Sequence, residues 1–119
     1  MQNITITSGN TVLHATLNDT MAAKDFSQRL PLAVSGYDSG IDYCCTAASG
    51  VFDPTEMQTG WKNGDISLGG GWFALLYDGQ EQSNAHRNMM IIGHILDKDL
   101  KLIKTLPEKA TFTVAPAQE

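Results

Sequence analysis

Trp72-Phe73-Ala74-Leu75-Leu76-Tyr77 is apolar on both faces, with Gly69-Gly70-Gly71 ahead of it and Gly79 behind it. A short doubly apolar run between turn formers reads as a β-strand covered on both sides, the most buried strand of the chain. A second run, Met89-Met90-Ile91-Ile92-Gly93-His94-Ile95-Leu96, is apolar on both faces apart from Gly93 and His94. The two runs flank a polar stretch, 79–88, and are expected to lie side by side as central strands of a closed sheet. Period two places His94 on one face with Met90, Ile92 and Leu96, lining the sheet's interior.

Outward from these runs the pattern stays short-stranded. Ile4-Thr5-Ile6-Thr7 alternates, Ser8-Gly9-Asn10 supplies turn chemistry, and Leu13, Ala15 and Leu17 then share one face, which predicts a hairpin. Asp19 is placed to cap a helix of about ten residues carrying Ala22, Phe26 and Leu30 on one side, stopped by Pro31. Strands are expected over 32–35 and 41–47 around a turn at 36–40, with Ile41, Tyr43 and Cys45 facing one way. Residues 48–60 read as a loop whose large apolar side chains are Phe52 and Met57, and Asn63-Gly64 turns into Ile66-Ser67-Leu68. Asp97 is placed to cap a second short helix with Leu100 and Ile103 inward, and Thr111-Phe112-Thr113-Val114 closes the pattern as a strand. Seven or eight short strands with doubly buried members hide their edges most simply by closing. The expected fold is mainly β, a small closed β-barrel with two short helices, as a single domain over 1–119.

Eight Lys plus Arg against thirteen Asp plus Glu give a formal charge of −5, the wrong sign for phosphate backbones or anionic lipid, so nucleic acid and membrane are not expected partners. The sequence shows neither a signal-type start nor an 18-residue apolar run, and the expected location is cytoplasmic. Cys44 and Cys45 are adjacent, so in a strand they point to opposite faces and read as small apolar fillers rather than a redox pair.

Four features in order carry a family resemblance: Leu17-Asn18-Asp19-Thr20 after the opening hairpin, Ala22-Ala23 before Leu30-Pro31-Leu32, Trp61-Lys62-Asn63-Gly64-Asp65-Ile66, and Ile92-Gly93-His94-Ile95. The chain resembles the cyclophilin-like small-barrel family of bacterial and archaeal proteins over nearly its whole length. That resemblance implies a closed barrel related in topology to the cyclophilin peptidyl-prolyl isomerases and to one domain of oxoprolinase-type and allophanate-hydrolase-type subunits. It implies no activity, because fold and chemistry are separable. The Phe-His-Arg pattern of isomerase cyclophilins is not found. Arg29 falls near the first helix end, and Arg87 follows His86 in the polar loop.

No catalytic constellation is legible: there is no nucleophile elbow, and Gly69-Gly70-Gly71 leads into a strand rather than a helix, so it reads as a turn and not a phosphate cradle. The three histidines and two cysteines share no metal-ligand spacing, so neither metal nor cofactor is expected. His86 and Arg87 set donors and a titratable ring on a loop between rigid strands. With Phe52, Met57, Trp72 and His94 they make up the candidate ligand-binding set; within it, the Phe52–Met57 loop and the outward face of the Trp72 strand are expected to line an apolar groove with Arg87 at its rim. The function read from this is a non-enzymatic module that binds a small molecule, a peptide or a partner subunit, a second copy of the chain included. The alternatives are a peptidyl-prolyl isomerase with a rearranged site and an accessory domain of an amidohydrolase-type or carboxylase-type assembly.

Overall fold

The computed structural model describes residues 1–117. The opening alternation forms β1 (Gln2–Ser8) and β2 (Thr11–Leu17), an antiparallel hairpin in which Ser8 faces Thr11 across a two-residue turn. Leu13, Ala15 and Leu17 are fully buried, as their shared face requires. The helix α1 (Met21–Ser27) is shorter than its apolar spacing predicts, and its cap is Thr20 rather than Asp19. Thr20 Oγ1 accepts the Ala23 N–H at 3.1 Å and donates to Asn18 Oδ1 at 2.6 Å, satisfying an otherwise orphaned helix donor.

Next, β3 (Leu32–Asp38) runs through Gly36 instead of ending before it, and β4 (Asp42–Thr46) follows. Gly36 faces Cys45, and a Cβ there would lie 1.9 Å from the Cys44 carbonyl oxygen, so the missing side chain lets the two strands meet. After a 3-10 turn at Pro54–Glu56 come β5 (Asp65–Gly69) and β6 (Trp72–Leu76). Their link is Gly70-Gly71, both with positive φ (61° and 89°), the geometry that matches the twist of a tight hairpin. The polar stretch folds as a 3-10 helix, Gln80–Ala85, ahead of β7 (Ile91–Ile95). The expected second helix is also 3-10, Asp97–Thr105, with Leu96 at its N-cap, and β8 (Lys109–Pro116) completes the set.

These eight strands form a closed barrel in the order β1-β2-β7-β5-β6-β4-β3-β8, every pair antiparallel. The fold class is as the sequence predicts, but the two doubly apolar strands are not neighbours, because β5 lies between β6 and β7. The tight glycine turn commits β6 to β5, so β7 reaches the sheet along β5's other edge and pairs with β2.

Inside the barrel, Phe26 of α1 stacks on Phe73 (centroids 5.4 Å, 17°). Tyr43 meets Phe112 edge-on at 5.5 Å. Ile4, Ile6, Leu13, Ile66, Leu68, Leu75, Ile92 and Val114 fill the remaining space. A second, smaller cluster of Trp61, Ala74, Leu76 and Ile91 lies against the outside of β6. Doubly covered strands are thus explained: one face meets the barrel core and the other meets the chain that wraps it.

Candidate functional site

The outer face of β6 presents Trp72, Ala74 and Leu76 in a row, flanked by Asp42 and Cys44 on β4 and by Ser67 and Gly69 on β5. Small side chains in the middle of this row (Ala74, Cys44, Ser67) make a floor, and large ones stand around it. Trp72, 47% exposed, rises at one end, while Trp61 and Ile41 stand at the end near Leu76. Met57, His86, Asn88 and Met89 form the far wall. The result is a groove of about 350 Å³ with a mostly apolar lining.

Two short segments build that wall and are tied to each other. Gln58 and Met89 exchange backbone hydrogen bonds at 2.9 and 2.8 Å, and the Gly60 N–H donates to the His86 carbonyl at 2.8 Å. Asn88 adopts φ 60°, a left-handed conformation that asparagine tolerates better than most residues. Trp61 is held at three points: its N–H donates to Ser83 Oγ at 3.0 Å, its indole N–H donates to the Asp78 carbonyl at 2.9 Å, and the His86 ring lies 5.2 Å from it. Ser83 is buried inside the 3-10 helix, so the polar loop is a structured brace for Trp61.

Of the six residues singled out from the sequence, Met57, Trp72 and His86 line this groove. Phe52 and Arg87 do not: both are exposed and lie outside the lining. His94 sits elsewhere, and a bulge explains why. Ser67 pairs with Ile91 and Ile66 with Gly93, leaving Ile92 as an extra residue, so the strand's parity shifts by one. Ile92 fills the core, and His94 is delivered to the barrel exterior beside Thr16 and Asp65 rather than to the interior face it was expected to share with Ile92. There its Nδ1 is 2.8 Å from Asp65 Oδ1 and its Nε2 is 3.2 Å from Asp97 Oδ1. Burial works against the charged ring, but the hydrogen bonds and charges of Asp65 and Asp97 outweigh it and raise its pKa above 6.5.

The sequence reading missed Trp61, Ala74, Cys44, Asp42 and Met89 as lining residues. Trp61 stood in a quoted motif and Ala74 in the deciding strand, but only the wrapped segments reveal that they share an outer surface. The chemistry of the lining is quiet. Cys44 has its pKa raised, first by burial and then by Asp42, and Cys45 behind it is pushed up to about 12 by burial. Among the described residues, no group of three His, Cys, Asp or Glu side chains could hold a metal, and no helix is long and apolar enough to cross a membrane.

The closed barrel is the architecture that the family resemblance implied, and the sequence profile of the Cyclophilin-like family matches residues 6–115. The chain belongs to the Cyclophilin-like family. No curated protein matches it significantly. In this Cyclophilin-like barrel neither arginine enters the groove: Arg29 lies over the Phe26 ring at 5.2 Å and donates to the Ala48 carbonyl at 2.8 Å, and Arg87 lies outside the lining.

Proposed function

We propose that this Cyclophilin-like barrel is a binding module, and that the groove between Trp72 and Trp61 holds a small molecule without transforming it. The observation that carries this reading is the groove itself: a concave, mostly apolar depression within the 300–1,000 Å³ range of ligand pockets, with few polar groups to orient an occupant. Its walls are pre-formed by hydrogen-bonded segments, which limits the ordering cost of binding. Met57, Met89 and Met90 add unbranched, polarizable side chains that adapt to an occupant's shape.

The isomerase alternative asks for a donor aimed at a prolyl nitrogen inside an apolar pocket, where amide rotation faces about 18–20 kcal/mol. Both guanidiniums lie outside the lining, so the geometry favours binding over isomerisation. The test is a thermal-shift screen of a small-molecule library against the wild-type chain and against Ala74→Phe and Ser67→Phe, which fill the floor from β6 and β5. Ligands that stabilise the wild type and neither filled variant support the reading. A library without hits, or hits that stabilise all three chains equally, overturns it. Turnover of a proline-containing peptide that depends on Arg87 would replace it with the isomerase reading.

A further inference from the structure

The groove is electrostatically one-sided. Among the described residues Asp42 is the one formally charged side chain in its lining, at the end where Leu76, Ile41 and Trp61 meet. Of the two carboxylates nearest in the chain, Asp78 follows that end, its N–H donating to the Ile41 carbonyl at 3.1 Å, whereas Asp38 on β3 pairs with Tyr43 and shares that residue's inward face. All three accept hydrogen bonds from neutral groups: Ser39 Oγ donates to Asp42, the Gly40 N–H and Tyr77 hydroxyl to Asp38, and the Gly79 N–H to Asp78. None of the three is in an ion pair among the described residues, whereas Asp19, Asp25, Asp65, Asp97 and Asp99 each are.

Resting on the binding reading above, we propose that the occupant is a small organic cation with an aromatic or apolar body, its ammonium group at the Asp42 end and its body along Ala74 towards Trp72. Asp42, without an ion-pair partner, attracts positive charge to that end of the lining, and the net charge of −5 favours a cation's approach. Indole is the best aromatic partner for an ammonium group, and tryptophans stand at both ends of this groove. The apolar floor has no charge to match an anion, and His86 is the lining's one titratable nitrogen.

The chain has two tryptophans, and both line the groove, so their indole N–H signals in ¹H–¹⁵N NMR report occupancy directly. The probes are phenethylammonium, 2-phenylethanol and 3-phenylpropanoate at fixed ionic strength. Phenethylammonium should shift both indole signals saturably and bind about fivefold more tightly than the alcohol, the scale of a partly exposed charge pair with a cation–π contact. The propanoate should bind more weakly still. Asp42→Asn should remove the cation's advantage while leaving the alcohol's affinity within about twofold, and Asp42→Glu should restore part of it. Alcohol or propanoate binding as tightly as the cation overturns the charge preference and leaves the groove reading standing. Saturation by a lysine-containing peptide but not by phenethylammonium overturns the small-molecule occupant. Indole signals unmoved by every probe overturn the cation proposal, and the library screen on the floor-filled variants then decides the groove reading separately.

Discussion

His94 Nδ1 lies 2.8 Å from Asp65 Oδ1, across the strand pair that the Ile92 bulge re-phases, while Asp65 Oδ2 accepts the Lys62 N–H at 2.8 Å. Asp65 is nearly buried and thus spans two elements, the turn before β5 and the exterior of β7. Because the ring's folded-state pKa is raised, its contribution to stability is fully present below its unfolded value near 6.5 and fades as pH rises through the folded value. Thermal unfolding of the wild type and His94→Gln between pH 5 and 9 should show the wild type's advantage greatest at the acidic end and shrinking towards pH 9. A difference that stays constant across that range would contradict the assignment.

Asp99 makes the opposite prediction on the neighbouring face. One oxygen, Oδ2, accepts both the backbone N–H of His14 and a contact from its Nδ1, each at 2.8 Å, fastening the 3-10 helix Asp97–Thr105 to β2. Burial raises the carboxyl pKa, but the hydrogen bonds and charge of His14 prevail and hold it below 3.8. Its stabilisation is therefore present above pH 3.8 and lost as pH falls through the lower folded value. Asp99→Ala should cost about 1–3 kcal/mol at pH 7, the penalty for stranding a donor. In urea titrations the gap from wild type should narrow as pH falls below 3.8.

Gly36 and Gly69 separate two uses of glycine within one barrel. A methyl group on Gly36 would sit 1.9 Å from a backbone carbonyl of the neighbouring strand, which cannot move without breaking the β3–β4 pairing. At Gly69 nothing lies within 4 Å and φ is ordinary. Gly36→Ala should lose about 3 kcal/mol or more, at the severe end for overpacking, whereas Gly69→Ala should change stability by about 1 kcal/mol or less, in the stabilising direction. Equal midpoints for the two variants in urea would refute this close approach.

That contrast also marks what could be read from sequence. Period-two alternation made β1, β2 and β8 legible, and the doubly apolar runs made β6 and β7 legible, because burial on each face is written in residue type. The neighbour order was not legible: Gly70-Gly71 fixes which strand β6 joins, but β7's choice of β5 and β2 depends on distant edges. Nor was the bulge, since Ile91 and Ile92 are the same residue type facing opposite sides, and one inserted residue relocates His94 without altering the apolar pattern. The groove suffers the same limit. Met57, Trp72 and His86 were found because large or titratable residues in loops and at strand ends attract notice. Ala74 and Cys44 matter for being small, and Asp42 for lacking a counter-charge, properties that exist only in three dimensions.

The adjacent cysteines turn that geometry into a chemical footprint. The thiolate is the species that alkylates, so a raised pKa slows the reaction as surely as burial does. Cys45 is wholly buried in the core with its pKa pushed up to about 12, while Cys44 borders the groove and is raised less. Iodoacetamide at pH 8, followed by mass spectrometry, should give one slow adduct in the folded protein, on Cys44, and two fast ones in urea. A saturating groove ligand should slow the Cys44 adduct further, because the occupant covers the floor between β4 and β6. Rapid double labelling of the folded chain would mean that β4 does not hold one thiol inside and the other beside the groove.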